Sequence, residues 1–319
     1  MLKAGAATID ITPPLGIKIS GYFEERIAKD VHDGLSAKSI VLDDGDTKFA
    51  IVVCDLVGAK REYLDRAKQL IFERCGIPPT NALISCTHTH TGPEIGDMGY
   101  GQILIQKIAD SVQLAENRLT EVEIGFEREE EYKPLGNRRF FMRDGTVWTN
   151  PGASNPDIVR PAGPVDPEIG VLCARQPNGK VISVLANYAM HYGGLSPTEK
   201  GEDMFTISAD YFGAFSKVMQ CMMGVEFVAV LANGACGDVI MYDAMRPHGG
   251  VNKYLGHAER VAALVAAKAL WALNQMKFHR HLKLASAMED LSIPRRMPTR
   301  EEIELAKGLM SGEVKPKNM

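Results

Sequence analysis

The sequence predicts an α/β fold, with a mixed β-sheet core covered by helices. Three observations lead there. Short apolar runs of strand length alternate with longer stretches of helical period. Over residues 48–86 a run, a helical stretch and a second run follow at the spacing of a βαβ unit, which brings parallel pairing. Between two apolar runs, Asp43-Asp44-Gly45-Asp46 has the composition of a tight turn, which adds antiparallel pairing.

The elements follow in order. Ser36–Leu42 and Lys48–Cys54 are the strands of that hairpin. Glu62–Cys75 sets Tyr63, Leu64, Ala67, Leu70 and Ile71 on one face and stops at Gly76, so it reads as a helix. Asn81–Cys86 is the next strand. Gln102–Leu119 is helical, with Leu104, Ile105, Ile108, Ala109, Val112 and Ala115 in register. Ile169–Cys173 and Val181–Met190 read as buried strands, Ala209–Met223 as a helix ended by Gly224, and Phe227–Ala232 as another strand. Tyr254–Met276 is a long helix, and Leu282–Ala287 is expected to be a strand. Thr299 and Glu302 have the spacing of a capping box for a final helix. Lys133–Glu168 breaks the rhythm. It is rich in Pro and Gly, with one small hairpin expected at Asp144-Gly145, yet it carries Arg138, Arg139, Phe140, Phe141 and Trp148. That content argues for an ordered flap over a site.

Composition removes several classes of function. Of the 319 residues, 45% are hydrophobic and 24% charged, an ordinary balance for a globular chain, and the net charge of −4 offers no basic field for nucleic acid. No apolar run is long enough to cross a bilayer, and the first residues carry no signal-peptide pattern. Six cysteines in a chain of this size make no disulfide framework. Cys54, Cys173 and Cys236 sit in or beside apolar runs as small buried thiols, and the expected compartment is cytoplasmic. No phosphate loop, dinucleotide fingerprint or Gly-x-Ser-x-Gly elbow occurs.

The residues able to do chemistry follow buried runs. In Thr87-His88-Thr89-His90-Thr91-Gly92-Pro93 the two histidines are two apart, so an extended chain projects both to one side at a strand's C-terminal end. Two imidazoles there can hold one metal, or one can hold it while the other handles a proton or a substrate oxygen. His191 ends the run Val181–Met190 and adds a nitrogen from another strand. Asn233-Gly234-Ala235-Cys236-Gly237-Asp238 ends the run Phe227–Ala232, and Asp238 suits the orientation of a histidine. Asp55 and Asp210 stand at similar places. His32, His248, His257, His279 and His281 do not, and read as structural or solvated.

Taken together these motifs resemble the N-terminal catalytic region of neutral/alkaline non-lysosomal ceramidases and their bacterial relatives. The matching stretches are Ala7-Thr8-Ile9-Asp10-Ile11-Thr12-Pro13-Pro14 with Gly21-Tyr22, Val31–Leu42 leading to Asp55, Thr87–Pro93, Asn137-Arg138, Met190-His191, Asp210 and Cys236-Gly237-Asp238-Val239. They run in family order from about residue 4 to about 275. The resemblance implies a zinc amidohydrolase that splits an N-acyl bond of a small-molecule or lipid-like substrate. It makes His88 and His191 zinc ligands, sets His90 toward the substrate and puts Arg138 near the reacting amide; Asp238 is taken with these two as catalytic. Two features depart from the family pattern. The family follows Gly-Asp-Val with Ser-Pro-Asn, whereas Ile240-Met241-Tyr242 stands here. No Gly-Glu-x-Phe-like segment supplies the family's further ligands. The expectation is one ceramidase-like catalytic domain over 1–319, cut short at its C-terminus and lacking an immunoglobulin-like domain. With two histidine ligands alone, its zinc coordination would be incomplete. The oligomeric state is not set by the sequence.

Overall fold

A computed structural model describes residues 1–152, 155–192, 205–240 and 257–314. The chain divides into two compact units, Met1–Ser286 and Ala287–Met319.

The first unit is built on two five-stranded sheets rather than one. In the first sheet β1 (Lys3–Asp10) pairs antiparallel with β2 (Ser36–Asp43), and β2 with β3 (Lys48–Cys54) through the expected turn. After α1 (Arg61–Cys75), β4 (Ala82–Cys86) lies parallel to β3, in the register Ala50↔Ala82 to Cys54↔Cys86. The helix stops where Gly76 takes φ 67°, a left-handed cap. α2 (Tyr100–Asn117) follows, and the short strand Thr120–Glu121 closes the far edge of the sheet.

The second sheet repeats the plan. β5 (Glu123–Glu130) pairs antiparallel with β6 (Glu168–Arg175), and β6 with β7 (Val181–Tyr188). After α3 (Asp210–Met223), β8 (Val228–Asn233) lies parallel to β7, and Phe278–His279 closes the edge beside β5. α4 (His257–Gln275) packs on β5 and β6.

The burial pattern shows how the sheets stack. One cluster joins Ala4, Ala6, Ile40, Leu42 and Val53 of the first sheet to Ile124, Ala174, Val228 and Val230 of the second, so the sheets face each other. A second cluster lies between the first sheet and α1 and α2, a third between the second sheet and α3 and α4. The order of layers is therefore helices, sheet, sheet, helices. Sheets covered on both faces need nearly continuous apolar strands, and β2 is buried at six successive positions. Each fully buried Val, Leu or Ile contributes about 1.5–3 kcal/mol.

Two expectations change. Leu282–Ala287 is not a strand. Leu284 donates its N–H to the Asp44 carboxylate and Ser286 its hydroxyl to the Thr80 carbonyl, so side-chain bonds hold this stretch where a ladder was expected. The flap holds more order than a single hairpin. Arg139–Met142 pairs with both Val147–Thr149 and Ile158–Pro161, around buried Phe140 and Met142. Gly136–Asn137 pairs with Val239–Ile240, which ties the start of the flap to the loop after β8. Residues 254–256 and His248 lie outside the described residues.

In the second unit Thr299 caps α5 (Arg300–Ser311). Its hydroxyl accepts from Glu302 N–H and the Glu302 carboxylate accepts from Thr299 N–H, completing the expected capping box.

Candidate metal centre

The site forms where the parallel pairs of both sheets end. The chain leaves β4 at Cys86 and runs beside the loop after β3, with Thr87 N–H on the Cys54 carbonyl (3.0 Å) and His88 N–H on Leu56 (2.8 Å). His88 then takes φ 68°, a left-handed conformation uncommon for a residue other than glycine. The threonines pin this turn. Thr89 and Thr91 both donate their hydroxyls to the Ser208 carbonyl, at 2.8 and 2.9 Å. Gly21 (φ 108°) lies against His90 so closely that a Cβ there would stand 2.7 Å from the ring. From the second sheet, His191 follows β7 and donates its backbone N–H to Val239 (2.9 Å). The Asn233 amide crosses from the end of β8 to donate to the Thr87 carbonyl of the first sheet, 2.9 Å away.

Three imidazoles meet there. His90 Nε2 is 3.2 Å from His88 Nε2 and 3.1 Å from His191 Nε2. The outer nitrogens of His88 and His191 face backbone carbonyls. His88 Nδ1 lies 2.6 Å from the Val57 carbonyl, which only accepts, so the proton sits on Nδ1 and the lone pair on Nε2. His191 Nδ1 faces the Cys236 carbonyl at 3.4 Å, with the same consequence. His90 Nδ1 faces the backbone of Gly21 without closing a hydrogen bond of ordinary geometry. Nitrogen lone pairs gathered in this way repel one another unless a cation sits between them. Zn–N bonds of about 2.0–2.1 Å at tetrahedral angles set two ligand nitrogens about 3.3 Å apart, close to the spacing found. Histidines whose second nitrogen is held by a carbonyl are the usual partners of such a metal. The residues fit a metal ion, and His88, His90 and His191 are the cluster able to hold one among the described residues.

The electrostatics agree. Burial pushes His90 down to about 3, helped by His191, His88 and Arg26. Burial likewise takes His191 down to about 4, followed by His88 and Arg138. Both rings are therefore neutral near pH 7, the state that ligation requires. Arg138 is thus within electrostatic reach of His191, and its backbone N–H donates to the Asp238 carbonyl (2.8 Å). The Asp238 carboxylate is bonded to the flap. It accepts from Asn137 Nδ2 at 2.9 Å and holds the flap to the loop after β8. Cys236 is half-buried, with its sulfur 4.0 Å from His191 Nδ1. Asp55 is buried in an ion pair with Lys38 (3.0 Å) and accepts from Ser36 N–H (2.9 Å). Asp210 opens α3 at φ 56°, its carboxylate accepting from Tyr211 N–H at 2.6 Å.

Sequence reasoning brought His88, His90 and His191 to one place, but for a partly different reason. The strand ends at Cys86 and His88 is left-handed, so strand alternation does not align the two rings; the pinned turn does. His90, expected to face the substrate, brings its Nε2 within 3.2 Å of His88 and 3.1 Å of His191. Tyr22 and Tyr192 were given no role by the sequence. The Tyr192 ring stacks on His90 at 3.9 Å, and its hydroxyl lies 2.9 Å from that of Tyr22. Tyrosines adjacent to Gly21 and His191 in sequence were the available signal.

No family model and no curated protein match the sequence. Solved structures do match in fold. The crystal structure of neutral ceramidase from Pseudomonas aeruginosa aligns with a TM-score of 0.68 at 19% identity, over 86% of this chain and 45% of that one. A ceramidase complexed with C2 aligns with a TM-score of 0.69 at 20% identity, over 86% and 44%. The chain spans less than half the length of these proteins, and over that span it has a ceramidase-like fold.

Proposed function

We propose that this chain is a ceramidase-like, metal-dependent hydrolase of an N-acyl amide bond, with zinc as its metal. The observation that carries the reading is the convergence of three imidazole nitrogens from two sheets, on a fold shared with ceramidases. Three protein nitrogens leave the fourth position of a tetrahedral zinc open, as in catalytic sites. Bound zinc would polarise the amide carbonyl and lower the pKa of its water toward ~7. His88 and His191 hold the metal, with Val57 and Cys236 fixing their tautomers. His90 lies between them, as a third ligand or facing the substrate. Arg138 brings positive charge for the oxyanion, and Asp238 positions Arg138 through Asn137 and the paired backbone. The domain assigned this role is the ceramidase-like one drawn over 1–319, and every residue of the cluster lies in Met1–Ser286. Small-molecule or lipid-like N-acyl amines are the substrate class. All six cysteines are free, which suits a cytoplasmic site of action. No described helix is long and apolar enough to cross a membrane.

The test is to purify the chain, measure bound zinc and assay hydrolysis of short and long N-acyl amines. One equivalent of zinc with turnover abolished in His88→Ala is the expected result. A second reading, ligand binding without turnover, is favoured by Ile240 standing where the resembled family carries its serine. Bound zinc with no turnover of any N-acyl amine would select it.

A further inference from the structure

The buried tyrosines of the first unit dispose of their hydroxyls in one way. Tyr188 donates to the Glu131 carbonyl (2.7 Å), Tyr211 to Met190 (2.8 Å), and Tyr100 to Ile11. Each ends on a backbone acceptor, as buried phenols usually do. Tyr22 and Tyr192 depart from this pattern. Their hydroxyls lie 2.9 Å apart, and among the described residues each has only the other. Two hydroxyls in one hydrogen bond use one hydrogen and leave the second uncommitted. The donor strengthens the acceptor's own O–H as a donor in turn.

The pair is also held rigidly, although Tyr22 is 45% exposed. The Tyr192 ring lies on His90 at 3.9 Å with the planes 17° apart, and 5.2 Å from His191. The Tyr22 ring meets His90 edge-on at 5.8 Å. The Arg26 guanidinium sits 4.2 Å over the Tyr22 ring while donating to the carbonyls of Ser20 and His90, both at 2.6 Å. A half-exposed phenol fixed by a buried arginine beside a metal-binding cluster is arranged for a ligand.

We propose that the Tyr22–Tyr192 hydroxyl pair is a binding element for the acyl oxygen of a ligand at the histidine cluster, one hydroxyl orienting the other. The ligand class is an amide or the carboxylate that its hydrolysis releases, so the inference rests on the hydrolase reading for its substrate. Either phenylalanine substitution keeps the ring and its stacking and removes only the hydroxyl.

The experiment measures hexanoate binding to the zinc-loaded chain by calorimetry, for wild type, Tyr22→Phe, Tyr192→Phe and the double variant. Zinc content and amide turnover are measured on the same samples. We expect about tenfold weaker binding in each single variant, the worth of one hydrogen bond, and no further loss in the double variant, with zinc unchanged. Equal affinity in all four chains overturns the proposal, as does absence of hexanoate binding to wild type. Losses that multiply in the double variant also overturn it, because they mean two separate contacts. Loss of zinc in Tyr192→Phe would show that this residue only supports His90, and overturns it too. The two readings part cleanly. The expected affinities without amide turnover would sink the hydrolase and leave the pair standing. Turnover with flat affinities would do the reverse.

Discussion

The two sheets of the first unit share a plan and differ in what they deliver. Each has three antiparallel partners, then a helix, then one parallel strand. In the first sheet the site residues follow the second strand of the βαβ unit, and the turn gives two imidazoles through a left-handed His88. In the second sheet His191 follows the first strand, and the loop after the other strand gives backbone carbonyls and Asn233. The sheets also place charge differently. The first buries Lys38–Asp55 at the end of β3, whereas the second gathers Glu123, Arg175 and Arg280 at its edge. One plan repeated twice thus yields two imidazoles from a turn on one side, and one imidazole with backbone carbonyls on the other.

That comparison can be broken by mutation. If the metal is shared, His88→Ala and His191→Ala each weaken zinc more than about 100-fold, read by competition with a chelator, because each removes a directly bonded ligand. An effect confined to one sheet would separate the two. Next in size is Lys38→Met, expected to cost about 3–5 kcal/mol in urea unfolding, since it strands the buried Asp55 carboxylate. Arg280→Ala, at an exposed edge, should leave the urea midpoint almost unmoved.

Acid tests the histidines together. The folded pKa values of His90 and His191 lie below the unfolded value, so the unfolded chain binds more protons between about pH 4 and 6.5. Stability of the metal-free chain is therefore full above that window and falls as pH drops through it. The loss from His191 alone between pH 7 and 5 is at most about 2 kcal/mol, and His191→Gln should flatten the curve. A midpoint that does not move with pH would count against the packed cluster. Smaller than the Lys38→Met effect is that of Asp238→Ala, expected to cost about 1–2 kcal/mol through the lost bond to Asn137. Faster hydrogen exchange at residues 136–142 would be its signature.

Much of the chain was legible because its signals are local. The Asp43–Asp46 turn, the apolar face of Glu62–Cys75 with its glycine stop, and Thr299 with Glu302 each specify structure within a few residues. The division into two sheets was not. It depends on β1 and β5, where Lys3–Asp10 is rich in alanine and Glu123–Glu130 is mostly charged, so neither reads as an apolar strand. At the site the convergence of His88, His90 and His191 was legible because each follows an apolar run, but the turn that achieves it was not. His90 reaches the cluster because two threonine hydroxyls and a glycine face set the turn, and the threonine contacts span more than a hundred residues of sequence. Asp238 looked like a histidine partner from its place after a strand. Its carboxylate accepts from Asn137, a residue that the folded flap brings near.

The Asn233 bond to Thr87 has a mechanical meaning. Sheets packed face to face through apolar side chains resist separation far more than they resist sliding, because burial carries no direction. A single directional bond at the strand ends turns that soft shear into a stiff coordinate. The histidines come from both sides of it, so their spacing acts as a gauge of how far one sheet has slipped along the other.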